Sequence, residues 1–131
     1  MSVSNILTLN WTYGSQQITN NVTVAAGSLT AISETISGSS EPEIACTIDV
    51  SALKSLYISS DEDVTVSTNA NIAGAADDTL LITADKPLVW YDGCGLPNPF
   101  ASGVDVTSIF VARLIAGAAA FEMRIQQDPT P

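Results

Sequence analysis

The chain has 131 residues, enough for one domain of ordinary size with a core that needs no staples. Apolar residues make up 46% of it, which excludes a disordered tract. Four Lys and Arg face fourteen Asp and Glu, a net charge of −10 that argues against nucleic acid and anionic membrane surfaces, because no cationic cluster offsets the repulsion.

Side chains alternate with a period of two along most of the chain, the pattern of half-buried strands. Leu7, Leu9, Trp11 and Tyr13 alternate with Thr8, Asn10 and Thr12, which predicts a strand over 5–13 with its apolar side, Trp11 included, in the core. Gly14-Ser15 turns the chain into a second strand over 17–25, where Ile18, Val22 and Val24 alternate with Thr19, Asn21 and Thr23. A third strand is expected over 29–36, followed by a loop over 37–42. Ile44, Cys46, Ile48 and Val50 share one face of a strand over 44–50. Ser51-Ala52-Leu53-Lys54 suits one helical turn capped by Asp49.

Strands over 55–60 and 63–69 flank the acidic turn Ser60-Asp61-Glu62-Asp63. After a loop over 69–78, strands over 79–84 and 87–91 are parted by the tight turn Asp85-Lys86-Pro87. The longest break covers 92–103. The last two strands, 107–115 and 118–127, are joined by Ala116-Gly117-Ala118. Ten short strands with turn residues between them, and no sustained helical period, predict a single all-β domain over 1–131. Its expected form is an antiparallel two-sheet sandwich of jelly-roll type.

Two segments depart from simple alternation. From 109 to 115 both faces are apolar, with Ile109, Val111 and Ile115 on one and Phe110, Ala112 and Leu114 on the other. Such a strand is either covered on both sides within the domain or meets another subunit. The loop Asp92-Gly93-Cys94-Gly95-Leu96-Pro97-Asn98-Pro99-Phe100-Ala101 is apolar and stiffened by proline, unlike most surface loops. Either Phe100 folds back to plug an end of the sandwich, or the loop is a rigid contact for a neighbour. A partner surface is therefore expected at Leu96, Pro97, Pro99, Phe100, Phe110 and Leu114.

Reactive chemistry is sparse. The absence of histidine removes Ser-His and Cys-His nucleophiles and histidine-based zinc sites. Cys46 and Cys94 stand apart, so they form no metal-ligand pair. They either join in a disulfide or, as a protein made in a cytosol favours, remain separate thiols. Asp61-Glu62-Asp63 and Asp77-Asp78 fall in turns, without the facing carboxylate a glycosidase needs or the spacing of an EF-hand. Gly93, Gly95 and Gly103 are not followed by the Lys-Ser/Thr of a phosphate loop. No enzyme activity, metal or cofactor is expected. The stretch over 114–121 is too short to span a bilayer, and the N-terminus lacks the basic start of a secretory signal.

Four segments carry a family resemblance. They are the strand Lys86-Pro87-Leu88-Val89-Trp90 and the loop Asn98-Pro99-Phe100, the run Leu53-Lys54-Ser55-Leu56-Tyr57-Ile58-Ser59-Ser60-Asp61 with Val64-Thr65-Val66 and Asp78-Thr79-Leu80 after it, and the closing strand Phe121-Glu122-Met123-Arg124-Ile125-Gln126-Gln127-Asp128. In these the chain resembles the small, acidic, histidine-poor jelly-roll virion proteins of tailed bacteriophages, of the capsid decoration or cement type. The likeness is one of pattern over most of the chain and includes no catalytic motif. It implies a structural virion protein, made in the host cytoplasm and carried on the capsid surface. Such a protein self-associates as a trimer, binds the major capsid protein and stabilises the head shell, with no nucleic-acid or membrane partner. The alternative is a carbohydrate- or receptor-binding jelly-roll module on a phage tail or appendage, marked by exposed Tyr57 or Tyr91 beside Asp residues.

Overall fold

Alternation buries one side of each strand, so two sheets must meet face to face to dry those sides. The computed structural model describes residues 3–36, 43–69, 76–113 and 118–128. They form ten strands: β1 (Val3–Tyr13), β2 (Gln16–Ala26), β3 (Ser28–Ile36), β4 (Glu43–Ile48), β5 (Leu53–Ser60), β6 (Val64–Thr68), β7 (Thr79–Ile82), β8 (Leu88–Tyr91), β9 (Val106–Arg113) and β10 (Ala119–Gln127). The expected loop over 37–42 lies outside the described residues, as do the middle of the loop over 69–78 and most of the 116–118 turn.

Two antiparallel four-stranded sheets, ordered β3-β10-β5-β8 and β4-β9-β6-β7, make the sandwich. The pairs β3–β10, β4–β9, β5–β8 and β6–β7 are nested, as when one long hairpin is rolled up. That nesting is compatible with jelly-roll winding. The first sheet turns Ile32, Ile36, Leu56, Ile58, Trp90, Phe121, Met123 and Ile125 into the core. The second answers with Cys46, Ile48, Val64, Val66, Ile82, Ile109 and Val111. Fully burying one such aliphatic or aromatic side chain contributes roughly 1.5–3 kcal/mol. The two ion pairs among the described residues, Lys54–Asp92 at 3.5 Å and Arg124–Glu122 at 2.8 Å, are largely exposed and contribute little. Apolar burial, not charge, holds the sandwich.

The strand expected over 44–50 stops at Ile48. The Asp49 amide donates to Gln127 Oε1 at 2.7 Å and the Val50 amide to Asp105 Oδ1 at 3.0 Å, so side chains replace the ladder there. A single 3₁₀ turn, Val50–Ala52, follows. Asp49 precedes it but makes no side-chain cap to its backbone; the carboxylate accepts from the Ser51 hydroxyl at 2.8 Å instead. A register shift between Ala45 and Ile48 in the β4–β9 pairing accompanies the burial of Val106, which breaks the alternation of β9.

The largest correction concerns the first two strands. β1 and β2 do not join the sandwich; they pair over eleven residues as a separate two-stranded ribbon, roughly 36 Å long. Trp11, expected in the core, is 53% exposed, and its cross-strand neighbour Ile18 is 56% exposed. The ribbon is amphipathic as its alternation demands. Its apolar side, however, lies over the outer face of the first sheet, near Tyr57, Pro87 and Val89, and is only partly covered there.

At its root the ribbon is fixed. Val24 and Ala26 are buried, and Gln126, itself buried, accepts from the Ser55 hydroxyl at 2.8 Å and reaches the Val24 carbonyl at 3.5 Å. The second distance is at the limit of a hydrogen bond, so apolar burial does most of the anchoring. Replacing Gln126 with Ala leaves the Ser55 hydroxyl buried without that acceptor and should destabilise the fold by about 1–3 kcal/mol in urea denaturation. Hydrogen exchange should quicken first at Val24 to Ala26.

Candidate interaction surfaces

The apolar loop after β8 is rigid, and its conformation is set by specific donors. The Trp90 indole Nε1 donates to the Leu96 carbonyl at 3.1 Å. Asn98 bridges two segments: its Nδ2 donates to the Val50 carbonyl at 3.1 Å, and its Oδ1 accepts from the Phe100 amide at 2.9 Å. Further on, Ser102 binds Asp78 through both its amide, at 3.0 Å, and its hydroxyl, at 2.6 Å. Gly93, Gly95 and Gly103 take positive φ, the backbone region that favours glycine, which lets a short loop double back.

This closes the choice the sequence left open at Phe100. Its ring is 1% exposed and plugs the sandwich, so on the single chain it offers no surface to a partner. Leu96 and Pro97 are exposed, and Pro99 is half-buried. Phe110 stands elsewhere, half-buried on the outer face of the second sheet. Leu114 lies outside the described residues. The five of these residues that are described therefore do not form one patch.

Around Phe110 the sheet face has a consistent character. Its outward side chains fall in rows across the strands: Glu43, Phe110, Ser67 and Thr79 in one, Ala112, Thr65 and Leu81 in another, Ala45 and Ser108 in a third. Leu81 is 64% exposed. Within these rows the charge is confined to Glu43, on the edge strand β4. By contrast, the outer face of the first sheet carries Glu122 and Arg124. The Ser33 hydroxyl, at 2.6 Å from Glu122, and the Arg124 guanidinium hold that carboxyl below its ordinary pKa.

Above the first sheet, the ribbon and Tyr57, Pro87 and Val89 enclose an open groove that also includes Leu9, Trp11, Ile18 and Asn20. Tyr57 and Tyr91 are both half-buried. Sequence reasoning placed Trp11 inside and so missed this surface. The signal was present all the same: residues 1–33 carry no charged side chain, in a chain of net charge −10.

The acidic turns are structural acceptors. Asp61 accepts from the Ala120 amide at 2.7 Å and Asp63 from the Ala84 amide at 2.7 Å. Asp77 accepts from Asn69 Nδ2 at 2.8 Å, and Asp78 holds Ser102. The two groups sit at opposite ends of the five-residue strand β6, roughly 17 Å apart along it. Both cysteines are free thiols. Burial pushes the Cys46 thiol up to about 11, whereas Cys94 is half-buried in the loop.

Two outcomes follow from this geometry. Phe100→Ala should lower stability by about 3–5 kcal/mol in chemical denaturation, because it empties a filled core position. At pH 8 the folded protein should give up one thiol, that of Cys94, to a disulfide reagent, and the Cys46 thiol only after denaturant is added. Since folding raises the Cys46 pKa, that residue's share of stability is intact below the ordinary thiol range and declines as pH climbs through it towards about 11.

Compared with protein-family models, with curated proteins and with solved structures, the chain matches none of them.

Proposed function

We propose that this chain is a non-catalytic structural subunit that self-associates and attaches to a larger protein shell, in the manner of a phage capsid decoration protein. The observation that carries the reading is the distribution of charge. A strongly acidic chain keeps two broad surfaces almost free of charge, the β1–β2 ribbon and the outer face of the β4-β9-β6-β7 sheet, and both expose large apolar side chains. A solvated monomer has no use for that pattern, whereas an assembly needs surfaces that bring acidic copies together without repulsion. The carboxylates of the acidic turns bind backbone amides and neighbouring side chains.

The shell, rather than some other assembly, is supported by the family resemblance and by the nested strand pairing, which suits a jelly roll. Many identical weak contacts repeated over such a shell add up by multivalency. Trimerisation and attachment to a major capsid protein belong to this proposal. The carbohydrate-binding alternative draws on the groove that places Trp11 near Tyr57.

Sedimentation velocity at micromolar concentration should show a defined oligomer, with three chains the expected number, and the chain should co-sediment with emptied phage heads. A strict monomer that ignores the heads and binds a defined glycan on an array would replace this reading with the alternative.

A further inference from the structure

The two charge-poor surfaces lie on opposite sides of the molecule. The ribbon runs over the outer face of the β3-β10-β5-β8 sheet, and the other surface is the outer face of the β4-β9-β6-β7 sheet. One chain cannot bring them together. The ribbon is also under-supported by its own fold. Isolated two-stranded ribbons are marginal in water, and this one has its described buried side chains, Val24 and Ala26, at one end. Near the other end, beside the Gly14 turn, Trp11 and Ile18 face each other across the strands and remain more than half exposed. Ile6 adds a 62% exposed side chain on the ribbon's opposite face.

We infer that the tip of the ribbon, Trp11 with Ile18, docks on the outer sheet face of a second copy of this chain, over Leu81, Ala112 and Phe110. The choice of occupant rests on charge. Two copies of net charge −10 repel except where neither presents a carboxylate. The ribbon carries no charged side chain, and the receiving rows carry Glu43 alone, at their edge. The receiving face is flat and built of small residues, Thr65, Ser67, Ser108 and Ala112, around Leu81 and Phe110. An indole and a branched aliphatic chain can lie on such a floor without displacing a buried polar group. The contact joins unlike surfaces head to tail, so it propagates from copy to copy and closes into a ring if the rotation allows. That is compatible with a trimer. The inference deepens the self-association proposed above and rests on it.

The test compares Trp11→Glu, Ile18→Glu and Leu81→Glu with wild type and with Val104→Glu, a control at an exposed loop position ahead of β9. Sedimentation velocity reads association, and far-UV circular dichroism confirms the fold. Each of the first three variants should weaken association roughly tenfold or more, as expected for central contacts, and Val104→Glu should leave it unchanged. In addition, Trp11→Cys on one chain and Leu81→Cys on another, both with Cys94→Ser, should form an interchain disulfide on mixing in the presence of oxidised glutathione, which takes up the two electrons. A wild-type oligomer that persists in Trp11→Glu or in Leu81→Glu overturns this docking and leaves self-association standing. A wild type that is monomeric throughout removes both.

Discussion

The structure depends on the way β10 is held. It is central in its sheet, paired with β3 on one side and β5 on the other, and it places Phe121, Met123 and Ile125 in the core. At its end the β5 register shifts between Gln126 and Gln127, which lets two consecutive glutamines both be buried, with different partners. Gln126 meets Ser55 and the root of the ribbon, whereas Gln127 binds the backbone of Thr47 and Asp49 beside the opposite sheet. Asp128 then accepts from the Gly27 amide, and its own amide donates to the Ala52 carbonyl at 3.0 Å. One strand end thus ties together the first sheet, the ribbon and the edge of the second sheet. Each polar atom involved would be costly if left alone in the interior.

How much of this is legible in the sequence follows from what period-two alternation encodes. It reports that a strand has one wet and one dry side, so all ten strands can be read, and the core face of β4 with them. It does not report what dries the apolar side. For β1 and β2 that cover is a partial one, the back of another sheet, and Trp11 was therefore expected inside. Composition held the correction, because residues 1–33 lack any charge and all eighteen charged side chains follow them. Phe100 shows the opposite limit. A loop aromatic just after two prolines reads equally as plug or contact, and the outcome depends on Asn98 bridging to Val50, a residue 48 positions away. Such long-range side-chain bonds have no local signature. Neither does the register shift in β4–β9, which accompanies the burial of Val106 out of phase with the rest of its strand.

The charge distribution connects fold to proposed role. Turns and loop ends hold most of the described carboxylates, where backbone amides need acceptors and water is close. This keeps the broad sheet face around Phe110 and the ribbon neutral without making the protein insoluble. Net charge then keeps free copies dispersed, and the neutral surfaces decide where they meet.

The ribbon's attachment also has a mechanical side. β2 passes through Gly27 directly into β3, and β3 is bonded to β10 over nine antiparallel pairs. A pull delivered to the ribbon along the chain loads those pairs in shear, so that many backbone bonds must yield together instead of unzipping one after another. A domain wired in this way can serve as a strap: tension on its arm is taken up by the longest pairing in the sandwich, next to its best-packed strand.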